Sequence, residues 1–448
     1  MRNLLFVLLL LPFFSPSAFA AVTTFARPLD KATFDPRRLE EESRFAGTGD
    51  DYAMSSYFDA SNNIYIAGGT YGSFSGYTNA GSYDCFFAKY DTNGNQQWVI
   101  QFGTSAYDFC MGIVLDASGN IYLVGYTSGA FSGFTNAGLF DIFLAKYTSA
   151  GVRTWLKQFG TNRDDIPLAI DVDGSNRPVF AGFTSGTFSG ETSAGGEDAF
   201  LARYTTAGAS SYMTQYGTTG NDRAISFRLD NSNRSFVAGT TTGAFSGFTN
   251  KGGIDGFTAR FSNAGALGWA KQFGTSGDDF ATGIGVDLGS GISQTVGVTT
   301  GAFTGFSNLG GEDSFITQYN AAGTYRWLTQ FGTSDDDEVG EAFTDSNGDT
   351  IFGGLTWAAF SGYTNQGNAD AFLVKYLDTG VLSWVRQIGT SGDDYFTGIS
   401  GNASNITFSV GQTDAAFPGG TNQNGFDAIV ARYTSAGSQS WLKQFGTN

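Results

Sequence analysis

A chain of 448 residues with 64 glycines and 16% aromatic residues has the makings of many short strands joined by tight turns rather than of long helices. Its formal charge of −17 argues against nucleic acid and anionic membranes as partners. With 0 histidines, Ser-His-Asp and Cys-His catalysis and every histidine metal site are excluded, so any chemistry must rest on carboxylates, Tyr, Lys or a bound cation.

The first segment, MRNLLFVLLLLPFFSPSAFA, has one positive charge at Arg2, an apolar run from Leu4 to Phe14 and the ending Ala18-Phe19-Ala20. This pattern predicts a signal peptide over residues 1–20 and hence a secreted or periplasmic protein. Its removal takes away Arg2 and no acid, moving the charge from −17 to −18. No cysteine follows the cleavage site to carry lipid, and no later stretch is apolar for long enough to insert in a membrane. Residues 21–44, with Pro28 and Pro36, match nothing downstream and read as a leader or linker. The 2 cysteines, Cys85 and Cys110, would meet an oxidising compartment, where an even pair favours a disulfide over a catalytic thiol.

From residue 45 the sequence repeats. The aromatic of an FGT signature stands at Phe45, Phe102, Phe159, Tyr216, Phe273 and Phe331, gives way to Ile388 and returns at Phe445, in steps of 57 residues apart from one of 58. The Phe of a GAFSGFTN-type loop keeps the same spacing at Phe74, Phe131, Phe188, Phe245, Phe303, Phe360 and Phe417. One unit holds four short β-type runs, MGIVLD, NIYLVGYT, DIFLAKY and VRTWLKQF, parted by Gly- and Asn-rich turns. The run Ile121-Tyr122-Leu123-Val124 is apolar on both faces, as a sheet between two other sheets requires. Four strands per unit and seven units predict an all-β, seven-bladed β-propeller over residues 45–448, with four antiparallel strands per blade. Residues 441–448 and the segment around Phe45 are copies of the same fourth strand, and one of them is expected to clasp the termini.

The units WVIQFGTSAYDFCMGIVLDASGNIYLVGYTSG and WAKQFGTSGDDFATGIGVDLGSG resemble the bacterial β-propeller repeat family SBBP over about 400 residues. The resemblance implies a propeller in exported or surface-associated bacterial proteins. It implies no single activity and carries no catalytic residues over.

Three polar rings follow from the repeat. Asp51, Asp108, Asp165, Asp222, Asp279, Asp337 and Asp394 follow FGT; the same turn wants the same residue each time, so closing that turn outweighs a Ca²⁺ ring at the channel mouth. Gln101, Gln158, Gln215, Gln272, Gln330, Gln387 and Gln444 are expected to bridge adjacent blades. The aspartates from Asp84 to Asp427 that open the third strand are expected to cap the glycine-rich loop before them. Among the strand-linking turns, Asp345-Asn347-Asp349 comes nearest to a Ca²⁺ loop, although none has the full EF-hand pattern; no other cofactor is implied.

Function is sought where the period breaks. Trp357 stands where other units have Tyr71, Ser128, Ser185, Thr242, Thr300 and Asp414, and an exposed indole there would stack on a sugar or anchor a partner, whereas a buried one would fill a gap. The sixth unit opens with Asp335, Asp336, Asp337 and Glu338, followed by Glu341: a solvated acidic turn, a cation site or paired-carboxylate chemistry. Arg163, Arg177, Arg223, Arg228 and Arg234 concentrate in the third and fourth units, either pairing with acids or forming an anion patch. The leading expectation is a non-enzymatic binding or adhesion propeller presenting its rim to a glycan, cell-surface component or protein. The rivals are a carboxylate- or Ca²⁺-dependent polysaccharide hydrolase or lyase on the axis near the sixth unit, and a structural envelope component.

Overall fold

The computed structural model describes residues 51–445 except 60, 62, 92–95, 402–404, 421 and 423–426, together with the short segments 7–8 and 25–26. Apart from those two short segments, the expected signal peptide, the leader and the Phe45 segment lie outside the described residues. Among those described, no helix is long and apolar enough to cross a membrane.

Seven four-stranded antiparallel sheets form the body, each from four strands consecutive in sequence. Blade 2 shows the plan, with Asp108–Leu115, Ile121–Thr127, Asp141–Tyr147 and Arg153–Phe159 in order from the axis outward. Its first two strands are buried at every position, while the outermost begins exposed. The innermost strands, Asp51–Phe58, Asp108–Leu115, Asp165–Val172, Asp222–Leu229, Asp279–Val286, Asp337–Thr344 and Asp394–Gly401, lie side by side in sequence from blade 1 to blade 7. The last strand, Gln439–Phe445, pairs with Asp427–Tyr433 and completes its own blade rather than the first. The single 58-residue step comes from blade 5, where the turn between Asp279–Val286 and Ser293–Thr299 is one residue longer than its equivalents.

Aromatic rings fill the space between blades. Phe159 of blade 2 packs on Phe180 and Tyr204 of blade 3, and Phe331 of blade 5 on Phe352, Phe372 and Tyr376 of blade 6. At the periphery the outer-strand tryptophans donate to the next blade: Trp155 Nε1 to Thr206 O at 3.1 Å, Trp269 to Ala321 O at 3.2 Å, Trp327 to Asp378 O at 2.9 Å and Trp384 to Ser435 O at 3.3 Å. Turn glycines such as Gly208, with φ of 80°, lie over these indoles, where a β-carbon would meet the ring.

Cys85, on the third strand of blade 1, and Cys110, on the innermost strand of blade 2, form a disulfide with Cα atoms 5.1 Å apart. It closes a loop of 25 residues across one blade junction. Replacing both cysteines by alanine is expected to lower stability by about 3 kcal/mol, the loop-closure value for such a span. Denaturant unfolding of the two proteins checks this, and the wild type should show no free thiol to a thiol reagent after denaturation.

Candidate functional site

The repeated polar groups are spent on the blades themselves. Gln101 Oε1 accepts from Phe74 N at 3.0 Å, while its Nε2 donates to Gly72 O and to Asp84 Oδ2, both at 3.0 Å. Gln158, Gln215, Gln272, Gln330, Gln387 and Gln444 repeat the pattern. The glutamines thus tie a loop to its own blade, their partners all lying in that blade, and do not bridge neighbours. The loop phenylalanines, Phe74 to Phe417, are buried under it.

The post-FGT aspartates make the connection between blades. Thr161 donates from its N and Oγ to Asp165 Oδ2, and Thr184 Oγ donates to Asp165 Oδ1. Asp108, Asp222, Asp279, Asp337 and Asp394 accept from Thr104, Thr218, Thr275, Thr333 and Thr390 in the same way. All six are fully buried, which satisfies the turn-closing reading and keeps them out of the channel mouth. Burial pushes Asp165 up to about 7 and Asp108, Asp279, Asp337 and Asp394 up to about 6, with the third-strand aspartate of the preceding blade adding to the rise and the threonine bonds opposing it.

Those values lie above the usual 3.8, so between about pH 4 and 7 the folded chain holds protons that the unfolded chain has released. This group therefore stabilises the fold in acid, and its contribution fades as pH climbs through 6 to 7. Thermal melts should show a midpoint that falls from pH 5 to pH 8, and Asp165→Asn should flatten that slope.

The sequence-singled residues fall in different places. Asp335 is exposed, whereas Asp336 is half-buried and accepts from Glu312 N at 2.9 Å. Asp337 is locked in its turn, and the half-buried Glu338 sits beside it on the same strand. Glu341 is separated from all of them. The pairing of blade 6 skips from Val339 to Ala342, a wider irregularity than the single-residue skip from Ala281 to Gly283 in blade 5. The resulting bulge carries Glu341 inward. Trp357 is half-buried, and its backbone keeps the bonds of the repeated loop, the main-chain N–H donating to Asp336 O at 3.1 Å and the main-chain carbonyl accepting from Asn365 Nδ2 at 2.9 Å.

The Ca²⁺-loop resemblance at Asp345-Asn347-Asp349 has an ammonium in it. Lys375 Nζ lies 2.8 Å from Asp345 Oδ2 and 3.0 Å from Asp349 Oδ2, and Lys375 is 5% exposed. Asn347 contributes its backbone N–H to Asp345 Oδ1 at 2.8 Å. Among the described residues, no group of three or more acids or cysteines is arranged to hold a metal ion. Lys375→Met leaves the two carboxylates uncompensated and is expected to cost about 3–5 kcal/mol in denaturant unfolding.

The arginines of blades 3 and 4 pair with carboxylates instead of forming an anion patch. Arg177 binds Asp173 at 2.6 Å, Arg223 binds Glu197 at 2.5 Å and Arg234 binds Asp230 at 2.5 Å, while Arg163 stands exposed in a turn. Arg228 reaches across the axis, its guanidinium 3.7 Å from Glu341 Oε1 and 3.4 Å from Ala342 O. Its charge also faces Asp171 of blade 3. Burial raises Asp171 and Glu341 to about 7 despite that guanidinium. Charges from blades 3, 4 and 6 therefore meet at the axis.

One feature escaped the sequence reading. At the blade 1–blade 2 junction, Tyr71, Tyr83, Tyr107, Phe109, Tyr126 and Phe140 form a continuous run of ring contacts, parallel at Tyr107–Tyr126 and edge-on at both ends: Tyr71–Tyr83 at 5.3 Å, Tyr83–Tyr107 at 4.9 Å, Tyr107–Tyr126 at 6.0 Å and Tyr126–Phe140 at 5.2 Å between ring centroids. Phe109 and Tyr126 are buried, Tyr107 is half-buried and Tyr71 is 57% exposed, so the stack runs from the interior to the loop face. The available signal was Tyr107, which stands where all six other units carry an acid or amide, among them Asp164, Asn221, Asp278, Asp336 and Asp393. Four of those five residues accept a backbone N–H across the junction; blade 2 has a ring instead.

Blades of this construction define a seven-bladed β-propeller. A family model for the SBBP beta-propeller repeat matches residues 97–132, within one of the repeated units. No curated protein matches the sequence. Solved structures of similar shape include Sqt1 from Chaetomium thermophilum, at 10% identity and TM-score 0.49 over 89% of this chain and 88% of that one. The Pan2 WD40 domain of Neurospora crassa is similar at 9% identity and TM-score 0.47 over 80% and 85%. A PL25 polysaccharide lyase, an ulvan lyase bound to -[GlcA(1-4)Rha3S]-, is similar at 10% identity and TM-score 0.45 over 89% and 94%. Likeness at this level concerns the propeller shape and carries nothing about activity.

Proposed function

We propose that this is an exported binding propeller that holds an extracellular glycan on its loop face. The reading is carried by the tyrosine stack of blades 1 and 2. All six other blades place an acid or amide where blade 2 places Tyr107, and the exposed end of the stack, Tyr71, presents an amphipathic ring to solvent. Tyrosine faces pack against the C–H face of a sugar while the phenol edge stays hydrated, and an anchored ring loses little side-chain freedom on binding. Tyr77, 37% exposed, adds a second ring on the same blade.

An axial hydrolase or lyase near blade 6 is less well supported, since Glu341 is 2% exposed and faces Arg228, and Asp337 is consumed by Thr333. The N-terminal signal pattern supports export.

A polysaccharide array followed by calorimetry tests this. A retained glycan should lose about tenfold in affinity, about 1.4 kcal/mol, in Tyr71→Ala, with a smaller change in Trp357→Ala. Glycan binding that is the same in Tyr71→Ala, or no retention of any polysaccharide, overturns the reading.

A further inference from the structure

Phe102, Phe159, Tyr216, Phe273 and Phe331 each fill a blade junction by packing on aromatic rings of the following blade. At the junction of blades 6 and 7 this position is Ile388, and the third-strand ring equivalent to Phe143, Phe315 and Phe372 is Ile429. Two rings are therefore missing from one junction. A cleft of about 400 Å³ opens beside them, bordered by Tyr363, Thr364, Gln366 and Ile388 of blade 6 and by Phe417 and Gln439 of blade 7. Its size falls in the range of small-molecule sites, roughly 300–1,000 Å³.

The lining is polar in a particular way. Tyr363 is held in place by its hydroxyl, which donates to Val385 O at 2.7 Å. Asp370 and Gln387, deeper in the wall, are occupied by the blade scaffold: Gln387 donates to Asp370 at 3.0 Å, and Gln366 N donates to the same carboxylate at 3.1 Å. The Gln366 carboxamide is only weakly engaged, its Nε2 lying 3.4 Å from Thr364 O. A fixed aromatic ring, two amide side chains that can both donate and accept, and a hydroxyl suit a polyhydroxylated ligand. None of the lining residues is cationic, and the chain carries a charge of −17, which selects against an anionic one.

We propose that the cleft between blades 6 and 7 is a binding site for a single uncharged pyranose sugar, seated against Tyr363 and hydrogen-bonded by Gln366 and Gln439. The assignment rests on the glycan reading above and gives it a second site, independent of the tyrosine stack.

The informative variant is Ile388→Phe, which restores the residue of the other junctions and fills the cleft while leaving its polar wall untouched. Saturation-transfer NMR and calorimetry on the full chain, with methyl glycosides of neutral hexoses as probes, should show saturable binding in the wild type. Ile388→Phe should weaken it at least about tenfold with the thermal midpoint retained, and Gln366→Ala should weaken it severalfold. Tyr71→Ala should leave it unchanged. If no neutral methyl glycoside binds, or if Ile388→Phe and Gln366→Ala both bind as the wild type does, the cleft site is wrong. Polysaccharide retention that is lost only in Tyr71→Ala would then leave the loop-face reading standing, whereas hexose binding sensitive to Ile388→Phe without polysaccharide retention would sink the loop-face reading and keep the cleft. Should Ile388→Phe fail to fold, Gln366→Ala decides the matter alone.

Discussion

Two buried carboxylates converge on the glycine after the FGT aromatic at five successive blade junctions, and the propeller is organised around that contact. A β-carbon on Gly103 would run into the Asp84 carboxylate and crowd Asp108; Gly160, Gly217, Gly274 and Gly332 stand in the same relation to their own pairs. One aspartate belongs to the third strand of a blade and holds the glutamine of its outer strand, while the other opens the innermost strand of the next blade and holds the FGT threonine. The chain passes from the periphery of one sheet to the axis of the next exactly once per repeat, and this clamp fixes that passage. Burial in this dry place is the main reason the inner-strand member keeps its proton to an unusually high pH, and the neighbouring acid adds to the rise. Glycine, both aspartates, threonine and glutamine are therefore a single unit, and their recurrence follows from the junction rather than from any ligand.

What the clamp consumes is unavailable for recognition, which leaves the asymmetric positions as the candidates for it. They are of three kinds. Blade 2 exchanges an acid for Tyr107 and gains a stack of rings that surfaces at Tyr71. The blade 6–blade 7 junction loses two rings and gains a polar cleft. The axis gathers Asp171, Arg228 and Glu341 from three blades into a charged plug. The first two face solvent and can meet a ligand; the third is buried and ties non-adjacent blades together.

Much of this was legible in the amino-acid order, and the failures have common physical causes. Four strands per unit and seven units follow from the 57-residue spacing, because strand period and turn chemistry are local. The turn-closing role of Asp108 and its equivalents was legible for the same reason, its partner Thr104 being four residues away. The glutamine partners were not, since Gln101 bonds to Phe74, 27 residues back, and only the blade geometry shows that the two are in one sheet. The Arg228–Glu341 pair lies beyond any sequence rule because it spans two blades across the axis. Asp345 resembled a cation loop in one dimension, while the cation that neutralises it, Lys375, arrives from the third strand, 30 residues on.

The open junction raises the question of how a propeller tolerates a missing ring. Replacing a buried aromatic by isoleucine removes packing and leaves a void, at a cost on the order of 1–3 kcal/mol. In a globular core that void would disturb everything around it. Here each junction touches only its two blades, so the loss stays local, as in other repeat architectures where stability is close to a sum over neighbouring units. The remaining clamp of that junction is intact, with Thr390 on Asp394 and Gln387 on Asp370, so backbone passage from blade 6 to blade 7 does not depend on the lost rings. Repetition thus permits one interface to be hollowed while the polar clamp holds the blades in register. On that argument a cleft should be sought in any such propeller wherever the FGT aromatic is replaced and its aspartates are not.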